Sequence, residues 1–157
     1  MNALLLNVFL ALIWAAATGN FDPANLLVGF AIGFLVVVFA QRAVGSTNYG
    51  RKFILVVRFA LFFIYELFKA NLRVAYDVIT PSQYMRPGVV AIPLSVKTDT
   101  EITLLANLIS LTPGTLSLDV SDDKSVLYLH AMFVDDPDEL RHEIKAGFER
   151  RVIEVLR

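Results

Sequence analysis

The stretch MNALLLNVFLALIWAAATGNFDPANLLVGFAIGFLVVVFAQ, residues 1–41, decides how the rest of the chain is read. From Met1 to Phe21 it carries no charged side chain; Asp22 interrupts, and Pro23 to Gln41 is again uncharged. A lone charge at the centre of a bilayer costs roughly 2.5–3.5 kcal/mol on insertion scales, so lipid selects for such runs. A helix of about 18 residues rises about 27 Å, enough to cross a thin hydrocarbon core. Two apolar segments joined by the turn Gly19-Asn20-Phe21-Asp22-Pro23 are therefore expected to form a transmembrane hairpin over residues 1–41. A cleaved signal peptide is the competing reading, since Ala15-Ala16-Ala17 has the look of a cleavage site. No Lys or Arg precedes the apolar run, however, and a second apolar segment follows at once, which favours an anchor.

Gly29 and Gly33 stand in GxxxG spacing, which lets another helix approach closely and makes them candidates for a subunit interface; glycine is also simply common in membrane helices. The loop 41–52 holds Arg42, Arg51 and Lys52, whereas the turn 19–23 holds only Asp22. By the positive-inside rule the loop and the N-terminus are cytoplasmic and the turn lies outside.

Residues 42–87 read as a basic loop, an amphipathic or third membrane helix, and a linker. From Phe53 to Tyr65 the chain is apolar apart from Arg58; then Glu66, Lys69, Arg73 and Asp77 recur at spacings of three and four, one polar stripe on a helix. The segment 53–80 can span as a third helix or lie in the cytoplasmic interface, and charges at five positions favour the interface. The stripe is a solvated face or, alternatively, a contact with another subunit or the lining of a water cavity. Pro81 and Pro87-Gly88 end the segment.

At 56% hydrophobic residues, the chain is too apolar for an ordinary soluble domain of 157 residues. Its charge is split. Residues 1–87 carry seven Lys or Arg against three acids, and residues 88–157 carry seven against twelve. A basic membrane-proximal half with an acidic tail suits a membrane protein whose tail is cytoplasmic. The acidic tail argues against nucleic acid as a partner. With no cysteine in the chain, disulfides, thiolate catalysis and cysteine metal sites are excluded.

Residues 88–157 predict a small α+β domain. Val90, Ile92, Leu94 and Val96 alternate as one face of a strand, with Pro93 suited to an edge. Thr98 or Asp99 caps a helix over roughly 100–110, buried through Ile102, Leu105, Leu108 and Ile109. Leu111-Thr112-Pro113-Gly114-Thr115 is a turn. Leu116, Leu118 and Val120 alternate with Ser117 and Asp119 as a second strand; Ser121 to Ser125 is a hairpin turn and Val126 to Val134 a third strand. Asp136 caps a last helix, with Pro137 at its first position, Glu139 placed to complete a capping box, and Leu140, Ile144, Phe148, Val152 and Val155 as its apolar face. The order β-α-β-β-α is most of a ferredoxin-like unit.

Chemistry-bearing groups are sparse. His130 and His142 stand alone, and a metal site needs three or four convergent ligands. Asp122-Asp123 and Asp135-Asp136 sit where turns and caps want aspartate. There is no glycine-rich phosphate loop and no nucleophile with a base, so no catalytic, cofactor or metal residue is assigned and an enzyme is not expected. Proton relays use ionisable residues inside membrane helices, and the two apolar segments have none. The composition points to an accessory subunit, with a stand-alone membrane-anchored ligand- or ion-sensing module as the alternative.

The run Asn107-Leu-Ile-Ser-Leu-Thr-Pro-Gly-Thr-Leu-Ser-Leu-Asp-Val120, then Leu127-Tyr-Leu-His-Ala131, Asp136-Pro-Asp-Glu-Leu140 and Phe148-Glu-Arg-Arg-Val-Ile153, resembles the E-type subunit of the Mrp-type (Mnh, Pha) multisubunit Na⁺/H⁺ antiporters of bacteria. The resemblance covers the whole chain. It implies an accessory, non-catalytic subunit of a plasma-membrane complex that exchanges Na⁺, or K⁺ or Li⁺, for H⁺, partnered by the other subunits and by the lipid bilayer. The family's large subunits carry the translocating Lys, Glu and His groups, and none of those ligands carries over to a position here. Thr112, Pro113 and Gly114 are then either a turn inside the tail domain or a turn that presents it to a neighbouring subunit.

Overall fold

The computed structural model describes residues 3–43, 48–80 and 85–157. Its elements are α1 (Ala3–Thr18), α2 (Pro23–Ala43), α3 (Asn48–Ile79), β1 (Gly88–Pro93), α4 (Asp99–Leu111), β2 (Thr115–Val120), β3 (Val126–Ala131), α5 (Pro137–Ile144), a π-helical turn (Lys145–Glu149) and α6 (Arg150–Leu156). They form two compact units, Met1–Leu55 and Val56–Arg157, and the division falls within α3. The first is helical and the second is a small α+β unit joined to most of α3. Pro81, expected to end the third segment, lies outside the described residues.

In the first unit α1 and α2 meet through small residues. Ala11, Ala15, Gly29 and Gly33 are buried, while Leu5, Phe9, Leu12, Leu27, Leu35 and Phe39 are exposed. This is the inverse of a water-soluble hairpin, in which the large apolar side chains go inside. A Cβ on Gly29 would lie 2.9 Å from Trp14 Cδ1 and 3.0 Å from the Ala11 carbonyl oxygen. The close approach that the GxxxG spacing permits is thus made to α1 of the same chain. Asn7 is fully buried in the seam; its amide donates to the Tyr49 hydroxyl at 3.0 Å, while its Oδ1 has no hydrogen-bond partner. The 18–25 turn is closed by a polar clamp. Trp14 Nε1 donates to Asn25 Oδ1 (3.1 Å), and Asn25 Nδ2 donates to Thr18 Oγ1 (2.7 Å) and to the Asn20 carbonyl (2.6 Å). Gly19 takes φ +65°, where a side chain would be strained. Pro23–Gln41, 19 residues, is long and apolar enough to cross a membrane; α1 is shorter, at 16 residues.

In the second unit the sheet order is β1-β3-β2, antiparallel throughout. Gly88 and Thr115 both pair with Ala131, so β1 and β2 run the same way on either side of β3. This is the split β-α-β arrangement expected from the element order. The helices cover one face of the sheet. Val90, Ile92, Leu127 and Leu129 from the strands meet Leu105 and Ile109 of α4 and Ile144, Phe148 and Val152 of the C-terminal helix, with Phe59, Phe62 and Phe63 of α3 packed on the same cluster. The Phe62 and Phe148 rings meet edge-on at 5.4 Å, and the Arg151 guanidinium lies 3.7 Å from the Phe62 centroid. Ile144, Phe148 and Val152 follow one another at steps of four. An α-helix drifts about 40° at each such step, and the wider π turn between them takes up the drift.

Both sheet edges are occupied. At β1, Pro93 removes one donor; Arg141 Nε donates to the Ala91 carbonyl (3.0 Å) and Lys145 Nζ to the Pro93 carbonyl (2.9 Å). At β2, the Ser117 N–H donates to Ser110 Oγ at 3.0 Å.

One strand face is the reverse of its expectation. Leu116 and Leu118 are about half exposed, at 49% and 50%, and Ser117 faces α4, where its hydroxyl donates to the Ala106 carbonyl at 3.0 Å. Ser117 and Ser110 tie β2 to α4 by hydrogen bonds on that side. A bulge between Ser117 and Asp119 then leaves Leu118 unpaired and turns Val120 inward.

Helix α4 starts with a capping box. Thr98 Oγ1 accepts from the Glu101 N–H (3.3 Å), and the Glu101 carboxylate accepts from Thr98 N–H (3.2 Å) and Lys97 N–H (2.8 Å). Arg157 adds two hydrogen bonds, Nε at 2.9 Å and Nη2 at 3.2 Å. The Arg157 bonds first, then the Lys97 N–H, hold the Glu101 carboxyl down from 4.5 to about 2. A depressed carboxyl stabilises the fold above its ordinary titration and loses that contribution as pH falls through the folded value. Glu101→Gln should therefore melt below wild type at neutral pH, and the gap should close as pH falls from 4.5 toward about 2. Thermal melts across that range check it; a gap independent of pH would show that the charge contributes nothing.

Candidate functional site

The second unit holds an open cavity of about 420 Å³, framed by α3, the 112–115 turn, the end of β3 and the start of the C-terminal helix. Its inner wall is apolar and includes Phe62, Ile109, Ala131, Phe133, Ile144 and Phe148. Its rim is charged. Glu66, Lys69 and Arg73 come from α3, and Asp135, Asp136, Glu139 and Glu143 come from the segment around α5.

Helix periodicity brings the first group together, because residues three and four apart share a face. Lys69 Nζ lies 3.8 Å from Glu66 Oε2. Arg73 sits 4.5 Å from the Phe133 centroid and 3.7 Å from Asp135 Oδ2, and Arg86 approaches the other oxygen of Asp135 at 3.6 Å. These pairs are exposed, apart from the half-buried Glu66, so each contributes at most about 1 kcal/mol. Asp136 caps α5 by accepting the Asp138 N–H at 2.8 Å.

The turn follows from the end of α4. The Thr112 N–H donates to the Ile109 carbonyl (3.0 Å) and its hydroxyl to the Leu108 carbonyl (2.9 Å), closing the helix. Gly114 then takes φ +88°, in the left-handed region where glycine is favoured, and its carbonyl accepts the Met132 N–H at 2.8 Å. A Cβ there would lie 3.8 Å from Val74 Cγ2, so the turn stands directly against α3.

Of the nine residues singled out from the sequence, Glu66, Lys69, Arg73, Thr112, Pro113 and Gly114 line this one cavity. Asp77 is buried further along α3 and is outside the lining; Gly29 and Gly33 belong to the hairpin unit. Sequence reasoning missed Asp135, Glu139 and Glu143 as a group, having accounted for the acids near 136 only as capping residues. The signal was there in the run of Asp135, Asp136, Asp138, Glu139 and Glu143, more acid than one helix start needs. Among the described residues no group of His, Cys, Asp and Glu converges as metal ligands. An apolar wall with a few charged groups at its rim is the general form of a binding site.

Residues 7–155 match the family model described as MNHE, Na⁺/H⁺ ion antiporter subunit. The chain belongs to this antiporter-subunit family. It is 36% identical to the E-type subunit of the Na⁺/H⁺ antiporter of Alkalihalophilus pseudofirmus over 154 residues, 98% of each chain. It is 38% identical to the corresponding E-type subunit of Bacillus subtilis, again over 98% of each. Among solved structures, a chain of the membrane-bound sulfane sulfur reductase, an archaeal respiratory membrane complex, superposes with a TM-score of 0.62 at 26% identity over 98% of both chains. A chain of the Mrp complex from Dietzia sp. superposes at 0.51 and 28% identity, covering 65% of this chain and 96% of that one. The curated relatives are antiporter subunits, transporter components rather than enzymes.

Proposed function

We propose that this chain is an accessory, non-catalytic membrane subunit of a multisubunit Na⁺/H⁺ antiporter, needed for assembly and full exchange activity and working beside the other subunits of the complex. Its family supplies the complex. The observation that carries the accessory role is that α1, and α2 as far as Gln41, hold no ionisable side chain with which to relay an ion. In this reading α1 and α2 cross the plasma membrane, presenting their exposed Leu, Phe and Val to lipid while small residues close the seam. Arg42, Arg51 and Lys52, at the facing ends of α2 and α3, support a cytoplasmic side for the connection between them. The tail, residues 88–157, follows on that side.

Helix α3 is read as lying along the cytoplasmic interface. Leu61, Tyr65, Phe68, Leu72, Tyr76 and Ile79 recur at steps of three and four and are all more than half exposed, an apolar stripe for the headgroup boundary. Its Phe59, Phe62 and Phe63 meanwhile pack on the α+β unit. The division into hairpin (1–41), basic loop with interfacial helix and linker (42–87) and tail (88–157) follows from this placement.

The test is a C-terminal tag, gentle extraction from native membranes and identification of what comes with the chain. Several distinct membrane proteins in fixed ratio are expected, and removing the chain should abolish both that assembly and cation-dependent proton exchange in everted vesicles. A chain that purifies alone, or exchange that persists without it, would overturn the reading and favour a stand-alone membrane-anchored sensor.

A further inference from the structure

We propose that the cavity receives a cytoplasmic loop of a neighbouring membrane subunit, one that carries lysine or arginine around an apolar tip. The proposal deepens the subunit reading and rests on it, because it needs the tail to be cytoplasmic.

The argument is charge complementarity over an apolar wall. Among the rim residues, Glu66 is paired with Lys69, and Asp135 is shared by Arg73 and Arg86. Glu139 and Glu143 are exposed and have no cationic partner among the described residues. The start of α5 accounts for Asp136 as a cap, and its dipole favours Glu139 in the first turn; that field fades within a turn, so it does not account for Glu143. The rim is left with surplus negative charge around a wall that includes Phe148, while Phe133 is already faced by Arg73. An anionic lipid headgroup would meet like charge there. A cytoplasmic loop of a membrane protein is the opposite case, because such loops carry an excess of Lys and Arg. Its apolar tip would cover the aromatic wall while its cations meet Glu139 and Glu143.

The experiment uses the intact complex in native membranes. p-Benzoylphenylalanine is placed at Lys69, whose side chain is 57% exposed on the rim, and the membranes are irradiated. The expected product joins this chain to a Lys- or Arg-bearing cytoplasmic loop of a different subunit. Glu139→Lys with Glu143→Lys should lower its yield about tenfold or more while the other subunits still co-purify. The isosteric pair Glu139→Gln and Glu143→Gln, which spares the Asp136 cap, should lower it too. Products with lipid, with a second copy of this chain or with the chain itself only, a yield unchanged in both double variants, or no product in a complex that still co-purifies would each overturn the proposal. If the wild type brings down no other subunit, the subunit reading itself has failed, and that outcome is visible before irradiation.

Discussion

Gly33→Val is expected to pry α1 from α2. A Cβ at this position falls on Asn7 Oδ1, well inside contact distance, and comes within 3.1 Å of Leu10 Cβ. Asn7 has little room to yield, being fully buried with its amide tied to Tyr49. Forcing extra methyl groups into a packed seam costs about 1–3 kcal/mol. The helix alone would gain up to about 1 kcal/mol from losing a glycine, so the clash decides the sign. Trp14, the only tryptophan in the chain, packs on Gly29 one turn away, and its emission in a detergent titration reports the opening. The variant should lose the paired state at lower denaturing detergent than wild type. Gly33→Ala supplies the cross-check. Asn7→Ala removes the atom that the new methyl would strike, so the two together should cost less than their sum. Additive losses, or a more stable Gly33→Ala, would show that the two helices are not held as described.

The second large effect is in the α+β unit. Leu105 is fully buried between α4 and the sheet, and Leu105→Ala should cost about 2–5 kcal/mol. A domain of this size has little more than that to lose, since whole-domain stabilities run about 5–15 kcal/mol and small cores sit at the low end. The variant tail should be cut by trypsin under conditions that spare the wild type. Leu118→Ala is the matched comparison: same residue type, about half exposed on the outer face, and an expected change within about 0.5 kcal/mol. Equal damage from both would mean that Leu118 is inside after all, as strict alternation along the strand would have it.

That pair of leucines shows where sequence reasoning reaches its limit. The helices and strands of the tail are legible because Ile102, Leu105, Leu108 and Ile109 keep one period, and because Asp136-Pro137 starts a helix whatever lies around it. The inside of β2 is not legible from its own pattern. Alternation says that Leu116, Leu118 and Val120 share a face, but the bulge breaks the period at Leu118, and Ser117 bonds to α4 through the Ala106 carbonyl. Both are tertiary facts. The cavity was half visible for the same reason. The stripe Glu66, Lys69, Arg73 and the turn 112–114 each announce themselves locally, whereas their meeting with Glu139 and Glu143 is made by the packing of α3 on the tail. Asn7 was passed over because uncharged runs are read for their charges, and a single amide does not interrupt them.

Arg141 and Lys145, reaching across to the carbonyls of β1, limit how this domain can be recognised. Many proteins bind partners by borrowing a strand, which needs a free edge with its backbone groups open. Here Pro93 and two long cations close one edge, while the Leu118 bulge and Ser110 interrupt the other. Strand donation is thereby disfavoured as a route to this domain. A chain crowded against copies of itself on one membrane is correspondingly protected from adding sheet to sheet into an open-ended stack. That leaves recognition by side chains as the favoured route, which a mutation can alter one contact at a time.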